Sequence, residues 1–236
     1  MLRLAGYKMI TPLDRIGIWN FLRHPYWYNQ LVQASSQRFL PVFLQRIPAS
    51  AALLDIGCGE MTVVPSGFVV LRADYCLSHA PDVICHAGQL PLISASFDGV
   101  VCSWMLEHVE EPQAVLREIY RVLRPEGVLY LTTNMAWHLH EYPRDFYRFT
   151  EPGLRQLLPE REWILEFLRP TLGFWGTVTQ LINYRIVAAL TAKQIRWLHP
   201  MLTLPLQIFG LLMESWCFNQ SLCAGYCIVA RKRLLT

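Results

Sequence analysis

The middle of the chain alternates short, unbroken apolar runs with segments of helical period. LLDI (53–56), FVVLRAD (68–74), Val83-Ile84-Cys85, FDGVVCSW (97–104) and GVLYLTT (127–133) read as buried strands. Before the fifth of these, PQAVLREIYRVL (112–123) sets Val115, Leu116, Ile119, Tyr120, Val122 and Leu123 on or near one helix face. Pro112 suits the first turn of that helix, and Pro125-Glu126-Gly127 ends it. REWILEFLR (161–169) and CAGYCIVARK (223–232) read as two further strands. This alternation predicts an α/β fold with a parallel sheet and a ligand at the carboxyl ends of its strands.

The flanks break this rhythm. Residues 1–50 read as an N-terminal helical segment, helical over 26–46 with Pro41 interrupting, ahead of a domain over 51–236. Residues 137–160 are aromatic, charged and aperiodic at first, as in a loop over the site, and Thr150 with Pro152 then starts a helix. Residues 173–217 form an apolar helical insertion, two helices parted at His199-Pro200. Its run MLTLPLQIFGLLM is too short and too interrupted by Pro205, Gln207 and Gly210 for a membrane span, which needs about 20 apolar residues. Three readings of 174–216 stay open: a helical pair on a bilayer surface, a cap packed on the sheet, or a homodimer interface. Trp175, Trp197 and Trp216, with Arg185, Lys193 and Arg196, suit the first.

Composition narrows the classes. With 53% hydrophobic residues and a mean hydropathy of +0.25, the 236-residue chain invites an apolar partner. Its net charge of +3 comes without a basic stripe, which argues against nucleic acid. Seven cysteines, an odd number with no C-x-x-C pair, predict a reducing, cytoplasmic setting. If 174–216 touches lipid, that setting becomes the inner face of the membrane. The N-terminus has no long apolar stretch of the kind a signal peptide needs.

The chemistry starts at LLDIGCGEM (53–61). A strand that ends in an acid and two alternate glycines lets a ligand approach the backbone closely. NAD and S-adenosylmethionine both fit such a turn. The second strand begins near Phe68, so MTVVPSG is too short, and too rich in Pro65 and Gly67, for a crossover helix. A dinucleotide needs a helix N-terminus at its pyrophosphate; S-adenosylmethionine has no phosphate. Thr62 also stands where a dinucleotide motif has its third glycine. Asp74 closes the second strand, placed to accept hydrogen bonds from both ribose hydroxyls; read alone, it starts a turn, as Asp55 caps local amides.

LLDIGCGE, Asp74, HAGQLPLISASFDGVVCSWMLEHVEEP and LREIYRVLRPEGVLYLTT together resemble the class I S-adenosylmethionine-dependent methyltransferases, type 11 group, over roughly Leu53–Thr133. HEYPRDFYRFTEPGLRQLL resembles a segment of a subset associated with bacterial glycan or surface-polymer modification. The resemblance implies a Rossmann-like, seven-stranded, mostly parallel sheet with helices on both faces and an antiparallel last strand, here following the apolar insertion. It implies that Asp55, Gly57, Cys58 and Gly59 surround the methionine and ribose of S-adenosylmethionine, with Asp74 on the ribose. His86 stands where the family usually has an acid, leaving Ala87, Gly88 and Gln89 to read the adenine ring. Tyr75 and Ser103, at the ends of the second and fourth strands, complete the expected cofactor set.

A hydroxyl acceptor needs a base, and histidine is suited to that near neutral pH. His138 and His140 follow the fifth strand, where an acceptor should sit, and His108 lies at the mouth of the cofactor site. Each has a plainer reading as a supporting, solvated or capping residue. Asp145, Tyr147 and Arg148 are placed to grip sugar hydroxyls or a phosphate, or else to pack and solvate the loop. His-x-His lacks a third ligand at a recognisable spacing, so no metal is expected. The favoured function is O-methylation of a small-molecule, glycan or lipid-linked acceptor. A non-catalytic binding module of the same fold, and an NAD-dependent oxidoreductase, are the competing readings.

Overall fold

A computed structural model describes residues 38–59, 63–195 and 198–234. The expected helix over 26–46 lies largely outside them; within them only α1, Leu40–Leu44, is helical, with Pro41 in its first turn. The strands are β1 (Ala52–Ile56), β2 (Val69–Asp74), β3 (Val83–Ile84), β4 (Phe97–Ser103), β5 (Leu123–Asn134), β6 (Trp163–Pro170) and β7 (Gly225–Lys232). They form one seven-stranded sheet in the order β3-β2-β1-β4-β5-β7-β6. The first five are mutually parallel, and β7 inserts between β5 and β6 as the antiparallel last strand that the family resemblance implies.

Alternation along the strands builds two cores. Leu54, Ile56, Val100, Cys102, Leu129 and Leu131 face one side, where α2 (Pro112–Val122) covers them with Val115, Leu116, Ile119 and Val122. α3 (Glu151–Leu157) adds Leu154 there; its N-cap Thr150 accepts from the Gly153 amide. Leu53, Val101, Val128 and Tyr130 face the other side, against Leu40 and Phe43 of α1. The β1–β2 connection over 63–68 runs as turns, with no helix among its described residues. Pro65 and Gly67, at φ +109°, are consistent with that.

Two boundaries differ from the sequence expectation. β5 begins at Leu123 and not at 127: Leu123 already pairs with Phe97, and the register then slips by an irregularity before Gly99 meets Val128. Glu126, with φ +64°, takes up the turn inside it. α4 (Phe174–Ala192) and α5 (His199–Trp216) part before His199, and Pro200 falls in the first turn of α5, where its missing N–H costs no helical bond. No helix among the described residues is long and apolar enough to cross a membrane.

Candidate functional site

The carboxyl ends of β1, β2, β3, β4 and β5 share one edge of the sheet, and the residues expected around a cofactor follow those ends. Gly57 (φ +66°) and Gly59 (φ +56°) both take the left-handed conformation that glycine adopts without strain. They differ in what surrounds them. A Cβ on Gly57 would lie 2.3 Å from Met105 Cγ, whereas one on Gly59 would meet nothing within 4 Å. The turn therefore packs inward at Gly57 and opens outward at Gly59. Cys58 and Asp55 are buried beside it.

Strand β2 fastens this turn. Asp74 accepts from the Gly59 amide (3.0 Å) and the Cys76 amide (2.9 Å), and His79 Nδ1 lies 3.2 Å from it. Burial pushes the Asp74 carboxyl up, but those amides and His79 outweigh it and hold the group below its ordinary value. An ionised carboxylate offers about four acceptor positions, so about one remains for a ribose hydroxyl. Arg72, two residues earlier on the same face of β2, donates to the Gly59 carbonyl (2.9 Å) and the His79 carbonyl (3.2 Å). The sequence reading passed over Arg72; its i, i+2 spacing from Asp74 was the available signal.

The adenine-side residues form their own small turn. His86 and Gln89 bridge, the Gln89 amide donates to the His86 carbonyl (2.9 Å), and the Gly88 amide donates to His86 Nδ1 (3.2 Å). Ser103 shares a hydrogen bond with Thr132 (3.0 Å) at the end of β4. Tyr75 is 58% exposed, with the Arg144 guanidinium 4.5 Å from its ring centre.

His108, distant in sequence, joins His138 and His140 beyond β4 and β5. The rings of His108 and His140 meet edge to face at 4.7 Å, and His138 lies 5.7 Å from His140. His108 Nδ1 is 2.6 Å from the Arg144 carbonyl, and His140 Nδ1 is 3.2 Å from the His138 carbonyl and 3.3 Å from Asp145. Carbonyl and carboxylate can only accept, so both rings carry their proton on Nδ1 and keep Nε2 as a base. Burial, then the neighbouring His140, lowers the pKa of His138; burial, then His108, lowers that of His140. The His138 ring packs 4.0 Å from Tyr184 of α4.

Asp145, Arg148 and Tyr147 are engaged within this loop. Arg148 makes five hydrogen bonds: two to Asp145 (2.5 and 2.7 Å) and one each to the carbonyls of Trp137, His138 and Tyr147. All five guanidinium N–H groups are thus satisfied internally. The Arg148 contact holds the Asp145 carboxyl well below the usual carboxylate range. The Tyr147 hydroxyl donates to the Glu110 carbonyl (2.8 Å). What the sequence offered as an acceptor grip forms, in this arrangement, the frame that orients His140.

Glu107 is the other residue the sequence reading left without a role of its own. It is fully buried and accepts from Thr133 (2.8 Å) and Asn134 (2.5 Å), while its carbonyl accepts from the amides of Phe146 and Tyr147. Burial pushes its carboxyl pKa up. Among the described residues, Glu107, His108 and His140 place ligand atoms within 4.8 Å of one another, a set able to hold a metal ion. Only His140 of the His-x-His pair belongs to that set; the other two ligands come from the turn that follows β4.

The residues fit S-adenosylmethionine: an open glycine turn, a buried acid at the neighbouring strand end, and no described helix aimed at a pyrophosphate. Residues 54–131 match the type 11 family model described as "Methyltransferase domain". The "Ubiquinone biosynthesis O-methyltransferase" of Xanthomonas campestris pv. campestris is 29% identical over 153 residues. That match covers 52% of this chain and 60% of the relative, so the chain spans less than two thirds of it. The structure of Burkholderia thailandensis 1,6-didemethyltoxoflavin-N1-methyltransferase, solved with 1,6-didemethyltoxoflavin and S-adenosylhomocysteine, superposes with a TM-score of 0.54. It is 16% identical, covering 95% of this chain and 88% of that one. The [4+2]-cyclase SpnF superposes equally well, at 0.54, with 18% identity and coverage of 84% and 82%. Such distant likenesses establish the fold, which hosts more than one reaction. Over the matched residues 54–131, strand order, glycine turn and family model agree on a methyltransferase domain of the type 11 group, and the chain around it has the class I methyltransferase fold.

Proposed function

We propose that the chain methylates a hydroxyl oxygen of a small-molecule acceptor, with His140 as the base. The observation that carries this reading is the convergence of imidazoles at the cofactor edge, with Nδ1 of His140 held by Asp145 and the His138 carbonyl. A carboxylate acceptor needs no such base; a hydroxyl loses its proton as the bond to carbon forms. The name of the Xanthomonas relative, an O-methyltransferase, agrees.

S-adenosylmethionine, when bound, supplies a methyl group already activated on a sulfonium. The open turn at Gly57, Cys58 and Gly59 would hold its methionine and ribose end, with Asp55 behind the turn and Asp74 taking one ribose hydroxyl. Tyr75 and the His86–Gln89 turn would flank the adenine, and Ser103 would line the floor. His140 takes the acceptor's proton on Nε2, and Asp145 stabilises the imidazolium that results. His108, fixed by the Arg144 carbonyl, and His138 exclude water and keep His140 in its neutral form. The acceptor is proposed to be lipid-linked, because His138 adjoins Tyr184 of the apolar insertion. A glycan carried on a lipid satisfies the same geometry, and the chain would then work at the cytoplasmic face of a membrane.

Calorimetry with S-adenosylhomocysteine tests the cofactor part, with binding expected and its absence fatal to the reading. Labelled methyl transfer to catechol, with and without a long alkyl tail, tests the rest. Transfer to oxygen, faster on the tailed catechol, is expected; transfer only to an amine control would overturn the hydroxyl assignment.

A further inference from the structure

The α4–α5 hairpin is built inside out for a helical pair in water. The side chains it buries most deeply are polar: Thr177, Thr179, Gln180, Asn183, Thr203 and Gln207 are each at most 2% exposed, against 9% for Leu190. Those it exposes are apolar: Ile182, Met201, Leu202, Ile208, Phe209 and Leu212 are all more than 40% exposed. Both stripes keep helical spacing. Thr203, Gln207 and Gly210 face α4, while Met201, Pro205, Ile208, Leu212 and Trp216 face out. The helices approach closely at Gly210, where a Cβ would stand 2.4 Å from Thr179 Oγ1. Among the described residues, the amide groups of Asn183 and Gln207 have no hydrogen-bond partner although both are buried. Water would favour the reverse partition, with amides outside and Leu, Ile and Phe between the helices. Lipid favours the observed one, because there small and polar residues hold helices together and apolar ones meet the solvent.

Charge points the same way. Glu214 is the sole acid on α4 and α5, and it is turned inward, accepting from the amides of Gly173 and Gly176 at the start of α4. The cations lie towards the other end: Arg185 and Lys193 are both exposed. An outer groove of about 410 Å³ on α4, lined by Leu181, Ile182, Arg185, Ile186 and Ala189, sets an apolar channel beside a cation. Since neither helix is long and apolar enough to span, we propose that the hairpin lies in one leaflet of an anionic bilayer, apolar faces down and Arg185 and Lys193 at the phosphates. This seat rests on the membrane-peripheral part of the proposed function and gives it a structure: Tyr184 would carry the bilayer surface to within ring contact of His138.

The test uses the full chain, vesicles of phosphatidylcholine with phosphatidylglycerol, and the double variant Leu202→Glu/Leu212→Glu, whose side chains are already exposed. Wild type is expected to sediment with the vesicles, and the variant to lose about tenfold or more in partitioning. Both should bind S-adenosylhomocysteine equally, which separates this outcome from failure of the methyltransferase reading. Arg185→Gln/Lys193→Gln is expected to lose binding to anionic vesicles in particular. Wild type left in the supernatant overturns the proposal, as does equal sedimentation of the Glu variant. A dimer in size exclusion that the Glu variant dissolves, without vesicle binding, also overturns it, since a second copy would then cover the face.

Discussion

The guanidinium of Arg144 sits 4.5 Å from the ring centre of Tyr75, so the loop after β5 is latched to the end of β2 across the cofactor edge. The same residue's carbonyl holds His108 Nδ1 at 2.6 Å, and Asp145, next in sequence, stands 3.3 Å from His140 Nδ1. One short stretch therefore touches the cofactor side with a side chain and the histidines with its neighbours. A cation–π contact at an exposed site contributes about 0.5–1 kcal/mol. Arg144→Ala and Tyr75→Ala should each weaken S-adenosylhomocysteine binding by roughly two- to fivefold, while Tyr75→Phe should bind as wild type. Calorimetry decides it; a Tyr75→Phe loss as large as the alanine loss would show that the hydroxyl matters and the latch does not.

Gly57 and Gly59 share a left-handed backbone, yet their alanine variants should fail differently. Each pays a cost of about 1–2 kcal/mol for φ > 0. Gly57→Ala also collides with Met105, so thermal unfolding should register a larger loss of stability there. Gly59→Ala has room in the protein, and its methyl would enter the space proposed for the cofactor. Its affinity for S-adenosylhomocysteine should fall by more than its stability does. Equal stability losses with intact binding would remove the cofactor from this turn.

The strands were legible because each is a short apolar run, and the crossover without a helix because Pro65 and Gly67 stand in it. The early start of β5 was hidden, since Pro125-Glu126-Gly127 has the chemistry of a helix stop and here serves as an irregularity within a strand. The histidines could be nominated from sequence, but their orienting partners could not. Arg144 reaches His108 through a carbonyl, and every residue has one. For Asp145, Tyr147 and Arg148 the sequence leaves an acceptor grip and a packed loop both open, because nothing in PRDFYRFT shows that the loop closes on itself. The hairpin's polar seam was equally hidden: a stripe of Thr, Asn and Gln in an apolar helix does not say which side faces in.

The Asp145–Arg148 pair gives the loop an acid limit. Arg148 holds the Asp145 carboxyl below its unfolded value near 3.9, so the pair contributes stability that is complete above that pH. That contribution is lost as pH falls through the folded value. Arg148→Met strands a carboxylate with 3% side-chain exposure and should cost about 3 kcal/mol at neutral pH. Asp145→Asn should instead flatten the acid limb of stability against pH. Chemical denaturation at pH 7 and pH 3 compares them; an Asn variant with the wild-type pH dependence would place the acid limit elsewhere.

His140 titrates in the opposite functional sense, because it works only when neutral. Burial, then the charge of His108, lowers its pKa from the ordinary 6.5. Protons therefore compete for Nε2 only below the pH at which a solvated imidazole would already be charged, and kcat/KM should hold to lower pH than that before declining. The same lowered pKa makes folding less favourable as pH drops below about 6.5, since the unfolded chain takes up the proton first. The acid limb of the rate must accordingly be separated from unfolding by following both on one sample. His140→Ala should reduce kcat about 10²- to 10⁴-fold with little change in S-adenosylhomocysteine affinity, and added imidazole should restore part of it. His138→Ala should cost less, as that ring packs on Tyr184 and lacks a carboxylate partner of its own among the described residues. If the His140 variant keeps the full rate and the acid limb follows His108→Ala, the base is His108, and the Asp145–His140 contact serves only to hold the loop closed.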